Sequence, residues 1–303
     1  MLFFRLTLSA NHSARPLGVL NLLYKTFTDE FIGNSIEYLI KSDISFIKFV
    51  FCFCKDNINM SLDQSIEKQG NFLFKYRGQF PVFLFILSVP FIYYSSVDYN
   101  HLNFYVIPSV IFSLLGFFIR FYTIATTPKN TSGRNTKKQI AETLNTRGIY
   151  SIVRHPLYLG NYLIWLGISI YTFNLYFLFF MSLFFWLFYK RIMFAEECFL
   201  ESKFGEKYLL WSKNVNSFFP TKLNFIKSNI HFSVKSILRR EYSSVLSALV
   251  GYLFIDIIRN YFVSSTIYLS PKLLVIGSIL LFIIIILRSL KHYTNFLNEH
   301  DRS

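Results

Sequence analysis

Residues Leu157 to Tyr189 form a run of 33 positions without one Asp, Glu, Lys, Arg or His. As a single straight helix this run reaches ~50 Å at ~1.5 Å per residue, against a hydrocarbon core ~30 Å thick. Extreme tilt is a costly way to hide the excess. A tight helical hairpin is simpler, and Thr172-Phe173-Asn174 is the clearest polar break near its middle. Each arm then holds about 16 residues, short enough that some local thinning of the bilayer is expected. Doubling back has a chemical consequence. Arg154-His155-Pro156 before the run and Glu196-Glu197 beyond it emerge on the same face, although some forty residues separate them.

The rest of the chain agrees with a membrane setting. Of 303 residues, 53% are hydrophobic, 20% aromatic and only 16% charged, where a soluble domain carries nearer ~25% charged residues. Six candidate spans can be placed: about Gly78 to Val97, Leu102 to Ile119, the two hairpin arms, Ser244 to Val263 and Ile267 to Leu287. The expected fold class is an all-α integral membrane protein of about six transmembrane helices, including the tight hairpin. A formal charge of +14 would point to nucleic acid in a soluble chain. Here no nucleic-acid partner is expected, because Lys and Arg gather in cytoplasmic segments of membrane proteins. The stretches around Arg134 to Arg154 and Lys203 to Arg240 are basic, while the first inter-span loop and the hairpin tip carry no Lys or Arg. That alternation puts both termini in the cytoplasm, although Arg259 and Lys272, flanking the last loop, fit it less well.

Residues 1–59 contain no full span: Phe46 to Cys54 is too short and includes Lys48. Arg5 interrupts the apolar start, so no secretory signal is read there. Met60 is expected to be the functional start, followed by an amphipathic surface helix leading into the first span. Cys52, Cys54 and Cys198 match neither a disulfide framework nor zinc-ligand spacing, and no metal site is expected. The chain divides into 1–59, an N-terminal extension; 60–130, the amphipathic helix and first two spans; 131–220, a core with the hairpin; and 221–303, a C-terminal two-helix membrane segment.

Pro156 is suited to the first position of a helix and pushes His155 out of helical geometry. The third span should therefore start sharply, with free N–H groups and the positive dipole end at the interface, a ready site for a carboxylate or phosphate. Arg154 and His155 add donors beside it. Taken alone, Arg-His-Pro would be read as a snorkelling Arg and a helix start. Successive helical residues point about 100° apart, so Glu196 and Glu197 cannot face one ligand alike. Glu197 shares a stripe with Lys190 and Glu201, Glu196 with Met193 and Leu200; either can be the one turned inward to a cationic ligand. The polar, basic loop Thr131 to Val153 is long enough to be functional, and Arg134 and Arg147 there could meet lipid phosphates. Asp256 and Arg259, three apart in the fifth span, can pair on one helix face and are read as structural.

Gly148, Tyr150, Arg154, His155, Pro156, Tyr158 and Gly160, then Glu196 and Glu197, then Phe204, Gly205 and Tyr208, closed by Pro220, form an ordered set. This set resembles the isoprenylcysteine carboxyl methyltransferase and phospholipid methyltransferase superfamily, over about Thr131 to Pro220, and looks most like its bacterial-type members. The resemblance implies a membrane methyltransferase using S-adenosylmethionine, bound in a cytosolic-facing pocket. It implies that Arg154, His155, Pro156, Tyr158, Gly160, Glu196 and Glu197 contact this cofactor. It implies a lipid or lipid-linked acceptor whose carboxylate, phosphate or amine is methylated, and a place in the bacterial cytoplasmic membrane. His155 is the nearby base for an amine acceptor, Arg154 stands beside it, and Arg191, with Lys190, is the candidate grip on an anionic substrate. No glycine-rich dinucleotide loop is present, which argues against a Rossmann methyltransferase. Two alternatives remain: a sterol-reductase-like enzyme using NADPH, which shares the Arg-His-Pro-x-Tyr segment but not adjacent glutamates, and a non-enzymatic lipid-binding bundle.

Overall fold

The computed structural model describes residues 61–95, 102–128, 131 and 139–299. The expectations for residues 1–59, for Cys52 and Cys54, for Arg134 and for the position of the two termini lie outside these residues. The described chain is all-α: α1 (Leu62–Tyr76), α2 (Phe80–Tyr93), α3 (Leu102–Ala125), α4 (Pro156–Ile170), α5 (Leu175–Phe204), α6 (Glu206–Ser212), α7 (Val234–Ser264) and α8 (Pro271–Tyr293), with a 3-10 turn at Ile149–Ser151.

Four of the described helices, α3, α5, α7 and α8, are long and apolar enough to cross a membrane. The chain is an integral membrane protein. Each of the six expected spans coincides with a helix, but α2 and α4 have only 14 and 15 residues. Fifteen residues reach ~22 Å, less than a ~30 Å core. Helix α2 meets the amphipathic α1 at an 85° bend, so the two together can be counted as one broken span.

The hairpin breaks where its polar residues stand. Residues 171–173 form the turn. Asn174 then caps α5, accepting from the Phe177 amide at 3.0 Å while its own amide donates to Phe91 O and Ser95 Oγ. An uncapped start would leave a buried N–H without a partner, which is why Asn is favoured there. The arms are unequal. Helix α4 stops at Ile170, while α5 runs 30 residues and carries Glu196 and Glu197 on its far end.

Asp256 fixes the tip. Fully buried, it accepts five hydrogen bonds, from Tyr171, Arg259, Asn260 and both the amide and hydroxyl of Ser270. Arg259 also donates to Tyr171 O and stacks over the Tyr171 and Phe173 rings. A charge at membrane depth survives only when matched this fully. The pair thus joins the hairpin turn, α7 and the start of α8.

Helices α3 and α4 cross at glycines. A Cβ on Gly116 would stand 2.6 Å from Gly160 O, and one on Gly167 would stand 2.4 Å from Ser109 O. This approach brings Arg120 of α3 beside the N-terminal half of α4.

Candidate functional site

The loop before α4 is held by backbone pairing rather than by a sheet. Gly148, at φ +64, donates its amide to Ile226 O at 2.8 Å. The amides of Arg154 and His155 donate to Asn216 O at 2.8 Å and Ser217 O at 3.1 Å. Pro156 then opens α4, and His155, with ψ 62, is outside the helical region as a residue before proline should be. No side chain caps this helix N-terminus.

Both glutamates reach this loop. Arg154 Nη1 donates to Glu197 Oε2 at 2.8 Å and to Tyr208 Oη at 3.2 Å. His155 Nε2 lies 2.9 Å from Glu197 Oε1, which also accepts from Ser217 Oγ at 2.8 Å. The other ring nitrogen, Nδ1, lies 3.4 Å from Glu196 Oε2. Tyr158 donates to Glu196 Oε1 at 2.7 Å. Burial opposes a charge on His155, but its hydrogen bonds to Glu196 and Glu197 outweigh burial and raise its pKa above the ordinary 6.5.

These residues border a cavity of about 510 Å³, in the size range of small-ligand sites. Its wall includes Arg154, His155, Pro156, Leu157, Tyr158 and Glu196, with Phe74, Tyr150, Trp165, Tyr189 and Phe199 as its aromatic surface. The two glutamates are thereby separated in task. Glu196 is on the wall, whereas Glu197 stands behind His155 and Arg154 and is not among the lining residues. Arg154 lines the cavity beside the α4 N-terminus, whose first N–H groups no side chain caps among the described residues. The two offer donors to an anionic group, while Glu196 offers a carboxylate to a cationic one. An amino acid-like group carrying both charges fits this donor set.

Besides Glu197, two of the residues implied by resemblance stand off the cavity wall. Gly160 is absent from the cavity wall. It is the crossing point of α3 and α4, where a Cβ would meet Arg120 Cγ at 2.5 Å and Gly116 O at 2.9 Å. Arg191 is turned toward α1: Nε donates to Gln69 Oε1 at 2.9 Å and Nη1 to Leu187 O at 2.6 Å. It does not line the cavity, because five residues along a helix rotate it off the Glu196 face. His155, expected as a base, has both ring nitrogens against carboxylates, and these raise its pKa above the ordinary value.

The opposite wall escaped sequence reading. Arg120 binds Glu241 through Nε at 2.7 Å and Nη2 at 2.8 Å, and also reaches Asn161 and Ser244. Arg240, Glu241 and Ser244 of α7 all line the cavity, as does Arg77 between α1 and α2. In the sequence Arg120 reads as a span's end and Arg240 as one of many cytoplasmic cations. The available signals were Asn161, a polar residue inside a charge-free run, and Glu241, the lone acid after a long basic stretch.

Comparison with known proteins bears on the same segment. A family model described as phospholipid methyltransferase matches residues 105–207. Protein-S-isoprenylcysteine O-methyltransferase of Schizosaccharomyces pombe is 38% identical over 77 residues, which are 25% of this chain and 33% of that protein. The chain thus spans about a third of the length of the curated relative it matches. No solved structure matches the chain.

Proposed function

We propose, from the match of residues 105–207 to a phospholipid methyltransferase family model and the likeness to an isoprenylcysteine O-methyltransferase, that this chain is a membrane methyltransferase using S-adenosylmethionine. Its acceptor is a lipid or lipid-linked oxygen anion. The observation that carries this reading is the juxtaposition on one cavity of Arg154, an uncapped helix N-terminus and Glu196. The cofactor's amino acid end presents the matching carboxylate and ammonium. When bound, it supplies an electrophilic methyl group on a sulfonium centre.

The residues of the chain position and screen. Arg154 and the first N–H groups of α4 bind the carboxylate, and Glu196 draws the positive charge. Glu197 and Ser217 keep Arg154 and His155 in place. The aromatic wall limits water, which strengthens each charge contact in the cavity. Proximity and alignment are then the main sources of rate. An acceptor that must lose a proton needs a base, and both ring nitrogens of His155 already face carboxylates. A carboxylate or phosphate oxygen needs none, so we place the acceptor in that class rather than among amines. The cavity and both ends of the hairpin face the cytoplasm in this reading, as do the two termini.

The direct test titrates purified full-length protein in detergent with S-adenosylhomocysteine and, separately, NADPH. Saturable binding of S-adenosylhomocysteine, weakened in Glu196→Gln, is expected. Binding of NADPH alone would reverse the assignment in favour of a reductase.

A further inference from the structure

Between Lys213 and Arg240 the chain carries six basic residues, Lys213, Lys222, Lys227, Lys235, Arg239 and Arg240, and not one Asp or Glu. Interleaved with them are Phe219, Leu223, Phe225, Ile226 and Phe232, all exposed, with Leu223 at 76%. Single exposed apolar residues need no explanation; five within fourteen positions, on a segment without helix, do. The segment is nevertheless fixed. Ile226 N donates to Ser151 Oγ at 2.9 Å, Ser228 Oγ to Thr126 O at 3.1 Å and Ser233 N to Ala125 O at 3.1 Å. Its backbone is thus tied to the protein; Phe225 and Phe232 lean on Tyr122 and Phe219 on Trp186, yet each keeps about half its surface exposed, and Leu223 most of it.

Non-helical backbone with Lys is excluded from hydrocarbon, and a contiguous apolar surface is unfavourable in water. The headgroup layer of a bilayer suits both: aromatic rings and cations settle there, and anionic lipids attract each Lys. We propose that residues 219–235 are an interfacial anchor that binds anionic lipid headgroups, and that it holds the loop of Arg154 and His155 from outside. The link is covalently short. The same stretch of chain supplies Asn216 O and Ser217 O to the Arg154 and His155 amides, and Ile226 O to that of Gly148. This surface is separate from the cavity and does not depend on which reaction the cavity performs.

The full chain, with Cys52, Cys54 and Cys198 replaced by Ser, is labelled at Leu223→Cys with an environment-sensitive fluorophore and placed in nanodiscs. One set contains phosphatidylcholine only, the other about 30 mol% phosphatidylglycerol. The expected result is quenching by lipids brominated near the glycerol and protection from aqueous iodide, about twofold stronger in the anionic discs. Lys222→Gln with Lys227→Gln, or salt at about 0.5 M, abolishes that difference. Amide exchange in peptides covering residues 147–156 slows about two- to threefold in anionic discs. A label open to iodide and untouched by bromine overturns the anchor. Equal bromine quenching in both discs, unchanged by the double substitution, overturns the role of headgroup charge.

Discussion

Glu197 accepts from Arg154, His155 and Ser217, so its charge is already matched within the protein. Glu196 meets only Tyr158 and, at longer range, His155, and it faces the cavity. Neutralising each therefore has a different outcome. Glu196→Gln should lower S-adenosylhomocysteine affinity about tenfold, or ~1.4 kcal/mol, with little change in melting temperature. Glu197→Gln breaks a mostly buried pair, at a cost of about 2 kcal/mol, and should lower Tm by about 4–8 °C. Calorimetry and thermal melts in detergent measure both; the reverse pattern would refute the division. His155 gives a pH signature. Its folded pKa lies above the ordinary 6.5, so its stabilising contribution is complete below pH ~6.5 and fades as pH rises through the folded value. Melting temperature should fall across that window, and His155→Asn should flatten the slope. The sequence made Arg154, His155 and the two glutamates legible as a group. It left open which glutamate faces the cavity, because that depends on how α5 is rotated when α1 packs on it, with Gly70 against Arg191 O.

The hairpin was readable because a single crossing by a 33-residue charge-free run demands extreme tilt while a polar break stands at its middle, and the turn falls at residues 171–173, at that break. The count of spans was less readable. Apolar composition continues across helix ends, so α2 looks longer in sequence than its 14 residues, while α4, with 15, is as short as the hairpin arm was expected to be. The crossing of α3 and α4 was invisible, since Gly116 and Gly160 form no short-range motif. It makes a sharp prediction. Gly116→Ala places a methyl 2.6 Å from Gly160 O, a backbone atom that no rotamer change can move. The helices must separate, at about 1–3 kcal/mol, and Arg120 is carried away from Asn161. Gly78→Ala, with nothing within 4 Å of its added Cβ, is the matched control and should melt within about a degree of wild type. Equal Tm values for the two variants would mean that the helices are not in this contact.

At the scale of the molecule, the family match ends at residue 207, yet the cavity does not. Helix α7 begins at Val234 and contributes Arg240, Glu241 and Ser244 to the wall. One of its attachments to α3 is the fork from Arg120 to Glu241, whose side chain is 3% exposed. Tyr252, bonded to Ser109 and Ser113, repeats the link deeper along α3. These partners lie more than a hundred residues apart, and no periodic pattern announces a pairing of that range. If α7 is part of the site, the two ends of the fork must be coupled. Arg120→Gln leaves a buried carboxylate without its cation, and Glu241→Gln does the converse; each should cost about 3 kcal/mol. The double variant removes both charges and should cost less than the sum of the two, by at least ~1 kcal/mol. Chemical unfolding of the four proteins in mixed micelles closes the cycle. Strict additivity would show that α7 packs beside the core without being joined to it, and the C-terminal wall would then have to be taken out of the cavity.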